Sequence, residues 1–197
     1  MRKLLAILAA TATLTLSGCG YNTMQTQDED VKGKWAEVLN QYQRQAYLIN
    51  NLVKTVEGET DFEKSTLEAV VNARASATGI NATPELINDP AAFAKFNAAQ
   101  SQMQSSLARL LVVAENYPNL KANQAFSDLR VEVSGSQNRI AIARKKYIDA
   151  VQTYNTTLRT FPNSLTAKVM GYDVKPSFTV DNEADIAKPP TIEFKKQ

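Results

Sequence analysis

The chain holds one cysteine and no histidine, which narrows the chemistry open to it. Cys19 stands in the stretch TLTLSGCGYN, residues 13 to 22, and its sulfur is the best nucleophile in the sequence. A second group of reactive side chains is the carboxylate run Asp28, Glu29 and Asp30, and a third is the tyrosine set Tyr42, Tyr147 and Tyr154. With a single cysteine no disulfide forms within the chain, and without histidine no Cys/His zinc site, Ser-His-Asp triad or Cys-His dyad can be assembled. The three carboxylates lack the glycine and the distal glutamate of a calcium loop, so they are expected to sit at a helix start, where the macrodipole favours negative charge. The tyrosines fall on helical stripes and are expected to pack in a core. No spacing pairs two acid-base groups, so neither catalysis nor a metal or other cofactor is expected.

Lys and Arg number 22 and Asp and Glu 20, and without Arg2 and Lys3 the remainder balances at 20 against 20. With no cationic excess, nucleic acid is excluded as an expected partner.

Residues 1–18 have the three-part layout of a secretory signal: a charged MRK, the 13-residue apolar stretch LLAILAATATLTL, and small residues before Cys19. A permanent span needs ~20 apolar residues, and this stretch is shorter and carries threonines. Leu16-Ser17-Gly18-Cys19 resembles the bacterial lipobox, which implies cleavage before Cys19 and lipid attachment to its sulfur. Two or three acyl chains hold a protein firmly to a membrane, at ~0.8 kcal/mol per buried methylene. Gly20, in place of an aspartate, leans the expected location toward the periplasmic face of the outer membrane if the cell has two.

To position anything, the chain must use helices. Its 44% hydrophobic content suits one buried core, and only 7 Gly and 7 Pro interrupt it. Residues 19–30 read as the lipidated cysteine and a polar spacer. Trp35, Val38, Tyr42, Ile49, Leu52 and Val56 then step by threes, fours and sevens along one helix side, with Gln45 in the seam. Because one glycine costs only ~1 kcal/mol in a helix, the rod is expected to continue past Gly58 through Phe62, Val70, Ala73 and Ala77 without a full break. Residues 78–90 read as a turn region with one helical turn inside it. A second rod carries Phe93, Phe96, Gln100, Met103, Leu107, Leu110, Ala114 and Tyr117, and Pro118 ends it. The third carries Phe126, Leu129, Val133, Ser136, Ile140, Ala143, Tyr147, Ala150, Tyr154 and Phe161, and Pro162 stops it. A short helix over 163–171 and an extended tail over 172–197 complete the reading. The expected fold is all-α, an elongated antiparallel bundle over 31–171, with Gln45 and Ser136 as polar seam residues that set register.

The blocks GYNTM, VKGKWAEVLNQYQRQAYLINNLV, LEAVVNARA, YPNLKANQAFSDL, NRIAIARKKYIDAVQTYNTTLRTFP and AKPPTIEF resemble, in order, the signature of the LemA family. The resemblance implies an elongated helical bundle outside the cytoplasmic membrane and, at Asn51, Arg74, Arg139, Arg144, Tyr154 and Asn155, recurrent positions of unassigned role. Most members are attached by an amino-terminal hydrophobic helix, so a lipobox here replaces one anchor by another. Gln45, Tyr47, Asn50, Gln137 and Ile148 stand where the family usually has Arg, Asp, Pro, Glu and Asn.

The expected function is therefore a lipid-anchored, non-enzymatic helical protein that holds an unidentified envelope partner near the membrane. The alternative is a small-molecule or lipid-binding module with a pocket between helices near Tyr42, Tyr147 and Tyr154. The oligomeric state is left open.

Overall fold

The computed structural model describes the backbone of residues 2–59 and 61–178, and the side chains of 20–59 and 61–178. Among the described residues six α-helices follow in order: α1 Arg2–Glu57, α2 Lys64–Gly79, α3 Pro90–Ala114, α4 Pro118–Ala122, α5 Gln124–Arg159 and α6 Asn163–Met170, with a 3-10 turn at Pro84–Asn88 between α2 and α3. No strand occurs among the described residues, and the class is all-α.

Helix boundaries follow local chemistry. Asp89 caps α3 by accepting from the backbone N–H groups of Ala91 (2.9 Å) and Ala92 (3.1 Å), and Pro90 opens it where no donor is needed. Asn123 caps α5 through the Phe126 N–H. Gly171 ends α6 in the left-handed conformation (φ 71°), which only glycine adopts without penalty, and Tyr172 N–H closes onto the Ala167 carbonyl.

Side-chain contacts set the directions. Trp35 of α1 meets Phe93 and Phe96 of α3 and Tyr147 of α5, all with ring centroids 5.3–5.5 Å away. Towards one end Met24 joins a cluster with Leu158 and Ala167; towards the other Val56 joins one with Leu110 and Val133. Rising numbers in α1 thus meet falling numbers in α5 and rising numbers in α3, so α5 is antiparallel and α3 parallel to α1. At 1.5 Å per residue α5, with 36 residues, is ~54 Å long, and the bundle is elongated.

Gln45, Gln100 and Ser136 are all buried, and each marks the point on its helix where one apolar cluster gives way to the other. Both amide atoms of Gln45, Gln100 Oε1 and Ser136 Oγ have no hydrogen-bond partner within the protein. A polar layer therefore divides the core, as expected for Gln45 and Ser136; Gln100 is the third member.

Five expectations are corrected. The first rod does break: α1 ends at Glu57, Glu59 N–H turns back to the Val56 carbonyl, and α2 restarts at Lys64. A continued rod would leave Val70, Ala73 and Ala77 without a partner. Folding back buries all three, and Phe62 packs on Tyr117 at 4.8 Å. Residues 19–30 are no spacer, because α1 runs through them and buries Met24 and Asp28. Asp28, Glu29 and Asp30 are consequently mid-helix and cap nothing; they pair with Lys32 and Lys34 three or four positions on. Finally, Phe161 lies beyond α5 and is exposed, and Val151 and Leu158 fill the seam in its place. Pro118, expected to end the second rod, instead opens α4, four residues after α3 stops at Ala114.

Candidate functional site

Met24, Asp28, Val31 and Trp35 continue the seam of α1 in steps of four, three and four, so Asp28 carries a carboxylate into the apolar stripe. Its answering charge comes from far along the sequence. Lys175 Nζ lies 2.8 Å from Asp28 Oδ1 and donates to Asn88 Oδ1 at 2.8 Å, and the two charged side chains are only 6% and 12% exposed. Asp28 also accepts from Lys32 at 2.7 Å. Burial alone pushes the Asp28 carboxyl up, but the hydrogen bonds and charges of Lys175 and Lys32 outweigh it and hold the group below its ordinary value of 3.8.

Residues 172–178 form an extended strap across α1 and α5, and Lys175 is its pin. Asn155 grips the strap with both ends of its amide: Nδ2 donates to the Lys175 carbonyl and Lys175 N–H donates to Oδ1, each at 2.9 Å. Tyr147 O–H donates to the Pro176 carbonyl at 2.8 Å. The Lys175 ammonium stands 5.3 Å above the Tyr154 ring, and the Arg144 guanidinium 4.2 Å above that of Phe178. Phe178 is buried against Phe93 (5.0 Å) and Tyr147 (5.6 Å), inserting the strap into the aromatic cluster around Trp35.

The expected site residues thus divide. Arg144, Tyr154 and Asn155 converge on the strap. Asn51 is exposed on α1, and its carbonyl accepts from Thr55 Oγ1. Arg74 ties α2 to α1 by donating from Nε to the Ala46 carbonyl at 3.0 Å. Arg139 is half-buried on α5 beside Gly135, and its Nε has no partner. Cys19 falls within α1, but its side chain lies outside the described residues, as do the block AKPPTIEF and the tail beyond 178. Asp28 belongs to the carboxylate run, but its signal, an acid in register with the seam, points to burial and not to capping, whereas Asn88, Lys175 and Phe178 carry no pattern of their own.

The three tyrosines do not share a pocket. Tyr147 and Tyr154 are core residues at the strap, and burial raises both hydroxyls, Tyr154 to about 12 with help from the Asp28 charge. Neither is ionised near neutrality, so neither is a ready general base. Tyr42 lines a different feature, a groove of about 410 Å³ between α1, α2 and α3. Leu39, Phe96 and Met103 wall this groove, Arg74 and Tyr47 edge it, and Gln100 stands at its floor. Tyr47, where the resemblance implies an aspartate, brings no charge to Arg74. Gln100 Oε1 is buried there without a hydrogen-bond partner, whereas the Tyr42 hydroxyl faces Arg144 of α5, whose charge offsets part of the rise that burial gives the phenol. Among the described residues no group of three Asp, Glu or Cys could hold a metal ion, and no helix is long and apolar enough to cross a membrane.

A family model described as the LemA family matches residues 34–194. Among curated proteins, magnetosome proteins MamQ 1 and MamQ 2 of Paramagnetospirillum magneticum are each 25% identical, across 86% of this chain and 67% of theirs. Magnetosome protein MamQ of Magnetospirillum gryphiswaldense is 22% identical, across 85% of this chain and 68% of its own.

Proposed function

Because the chain belongs to the LemA family, we propose that it is a lipid-anchored, non-enzymatic scaffold of the bacterial cell envelope. Cleavage before Cys19 and acylation of its sulfur would tether the bundle outside the cytoplasm, on the periplasmic face of the outer membrane in a cell with two membranes. A long helix face would then hold a partner protein at the membrane. The observation that carries this reading is what the family positions do. Arg144, Tyr154 and Asn155 bind the chain's own strap, and Arg74 fastens α2 to α1. Such residues build a rigid rod, and the surface left for partners is the outer face of α5, where Val131 and Ile142 are exposed.

Photoreactive residues placed at Val131 and Ile142 in living cells test this. The expected result is one envelope protein captured from both positions, with capture abolished by Val131→Asp or Ile142→Asp in the neighbouring site. Capture of abundant background proteins alone would reject it.

A second reading is favoured by the groove. Its apolar walls and the Arg74 guanidinium suit a small amphipathic carboxylate, with its chain against Leu39 and Met103 and its head at Arg74. Titration with decanoate followed by native mass spectrometry checks it. Saturable binding weakened by Arg74→Gln supports the reading, and no binding at millimolar decanoate dismisses it.

A further inference from the structure

Leu165 and Val169 lie four residues apart on one face of α6, and Phe161 lies in the turn just before it. All three are exposed, Val169 at 84%, Phe161 at 76% and Leu165 at 61%, and Met170 joins them at the end of α6. The opposite side of α6 is held by the buried Ala167. No other short segment among the described residues gathers so many exposed apolar side chains. Scattered exposed apolar residues are ordinary, but four large ones between residues 161 and 170, on a short helix and the turn before it, mark a surface that meets something apolar.

Position decides what that is. α6 packs against the start of the bundle, where α1 leaves the apolar amino-terminal segment. Gly20 lies so close to Asn163 that a Cβ on it would stand 2.5 Å from Asn163 Oδ1, and the rings of Tyr21 and Tyr172 are 6.3 Å apart. The residue next to Cys19 and the first residue of α6 are therefore neighbours. The helix contains no Asp or Glu, and Arg159 and Lys168 border the patch, a charge pattern suited to phosphate headgroups.

We propose that α6 is a membrane-docking face: Phe161, Leu165, Val169 and Met170 enter the headgroup boundary of the bilayer beside the anchor, fixing the tilt of the rod. The occupant is a phospholipid surface. This rests on the reading of Cys19 as the lipid anchor, which supplies the bilayer at residue 20. The anchor alone would leave the rod free to swivel. A second contact beside it gives the rod one orientation, with the α2–α3 end held away from the surface.

The test uses the full protein purified from membranes and reconstituted into vesicles of phosphatidylethanolamine and phosphatidylglycerol. With Cys19 acylated, a cysteine introduced by Leu165→Cys is the only free thiol and takes an environment-sensitive fluorophore. Val112→Cys, exposed near the opposite end of the bundle, is the control. The expected result is a blue shift at position 165 with quenching by spin-labelled lipid, and neither at 112. With the fluorophore moved to a Phe161→Cys site, Val169→Glu is expected to lower vesicle contact on the order of tenfold, with far-UV circular dichroism unchanged. Equal response at 165 and 112 overturns the proposal. Protection of 165 from aqueous iodide without lipid quenching also overturns it, because the patch is then covered by protein, either the chain's own tail or a second copy. Intact mass of the same sample reports acylation of Cys19 independently. If the mass shows no acyl chains, the labelling is repeated on Cys19→Ser so that position 165 again carries the only thiol; lipid quenching there keeps the docking face and rejects the anchor, and acylated protein without quenching does the reverse.

Discussion

Replacing Asp28 by alanine is expected to release the strap while leaving the bundle folded. The substitution strands the Lys175 ammonium, whose side chain is 6% exposed, with only Asn88 Oδ1 and the face of Tyr154 for company. Removing one partner of a buried pair costs about 3–5 kcal/mol. What remains to hold residues 172–178 is the burial of Phe178, worth ~1.5–3 kcal/mol, and three hydrogen bonds from Tyr147 and Asn155, worth about 1 kcal/mol each. Loss of the ion pair therefore appears as local opening of the strap. At 1.4 kcal/mol per tenfold, exchange of the Lys175 amide, which donates to Asn155 Oδ1, should accelerate about 100- to 4,000-fold. Hydrogen-exchange mass spectrometry over residues 172–178 reads this directly, with α5 amides as internal reference. Adding Lys175→Met removes the stranded charge and should restore most of the protection. Unchanged exchange in Asp28→Ala, or strictly additive effects of the two substitutions, would refute the coupling.

Three further outcomes follow from the same geometry. Asn155→Ala removes both amide contacts to Lys175 and should favour strap opening by about 1–3 kcal/mol, read by the same exchange measurement with helicity unchanged. In acid, a carboxylate whose folded-state pKa lies below its unfolded one stabilises above the unfolded value and stops doing so as pH falls through the folded value. Since Asp28 is held below 3.8, the strap should stay closed at pH 5 and open only below about pH 3.8, whereas Asp28→Ala should lose this acid transition. Gln45→Met replaces a buried amide with two unpartnered atoms by an apolar side chain of similar volume, and urea denaturation should show a gain of about 1–3 kcal/mol; a loss would mean that the amide is satisfied by internal water or a ligand.

The repeating threes and fours made most of the bundle legible. Trp35, Val38, Tyr42, Phe96, Met103, Ile140 and Tyr147 are all buried as their spacing required, and Gln45 and Ser136 sit in the seam as expected. Phe161 was misplaced because α5 ends at Arg159, so the helical frame no longer holds at 161 and Leu158 is the last core residue of the helix. The break after Glu57 could not be read from helix propensity, since it is set by the tertiary burial of α2. Expecting a spacer over 22–30 came from its polarity, and the seam residues Met24 and Asp28 were the overlooked evidence. The Lys175 contacts to Asp28 and Asn88 leave no local pattern, because they join residues separated by most of the chain.

The central claim is that Cys19 is the point of attachment to a membrane. Intact mass and N-terminal sequencing of protein extracted from membranes, with a Cys19→Ser variant alongside, test it most directly. The account predicts a mature chain that begins at Cys19 and carries the mass of two or three acyl chains, while Cys19→Ser incorporates no palmitate and leaves the membrane fraction. A chain that begins elsewhere, or a Cys19→Ser variant with unchanged palmitate labelling, would contradict it.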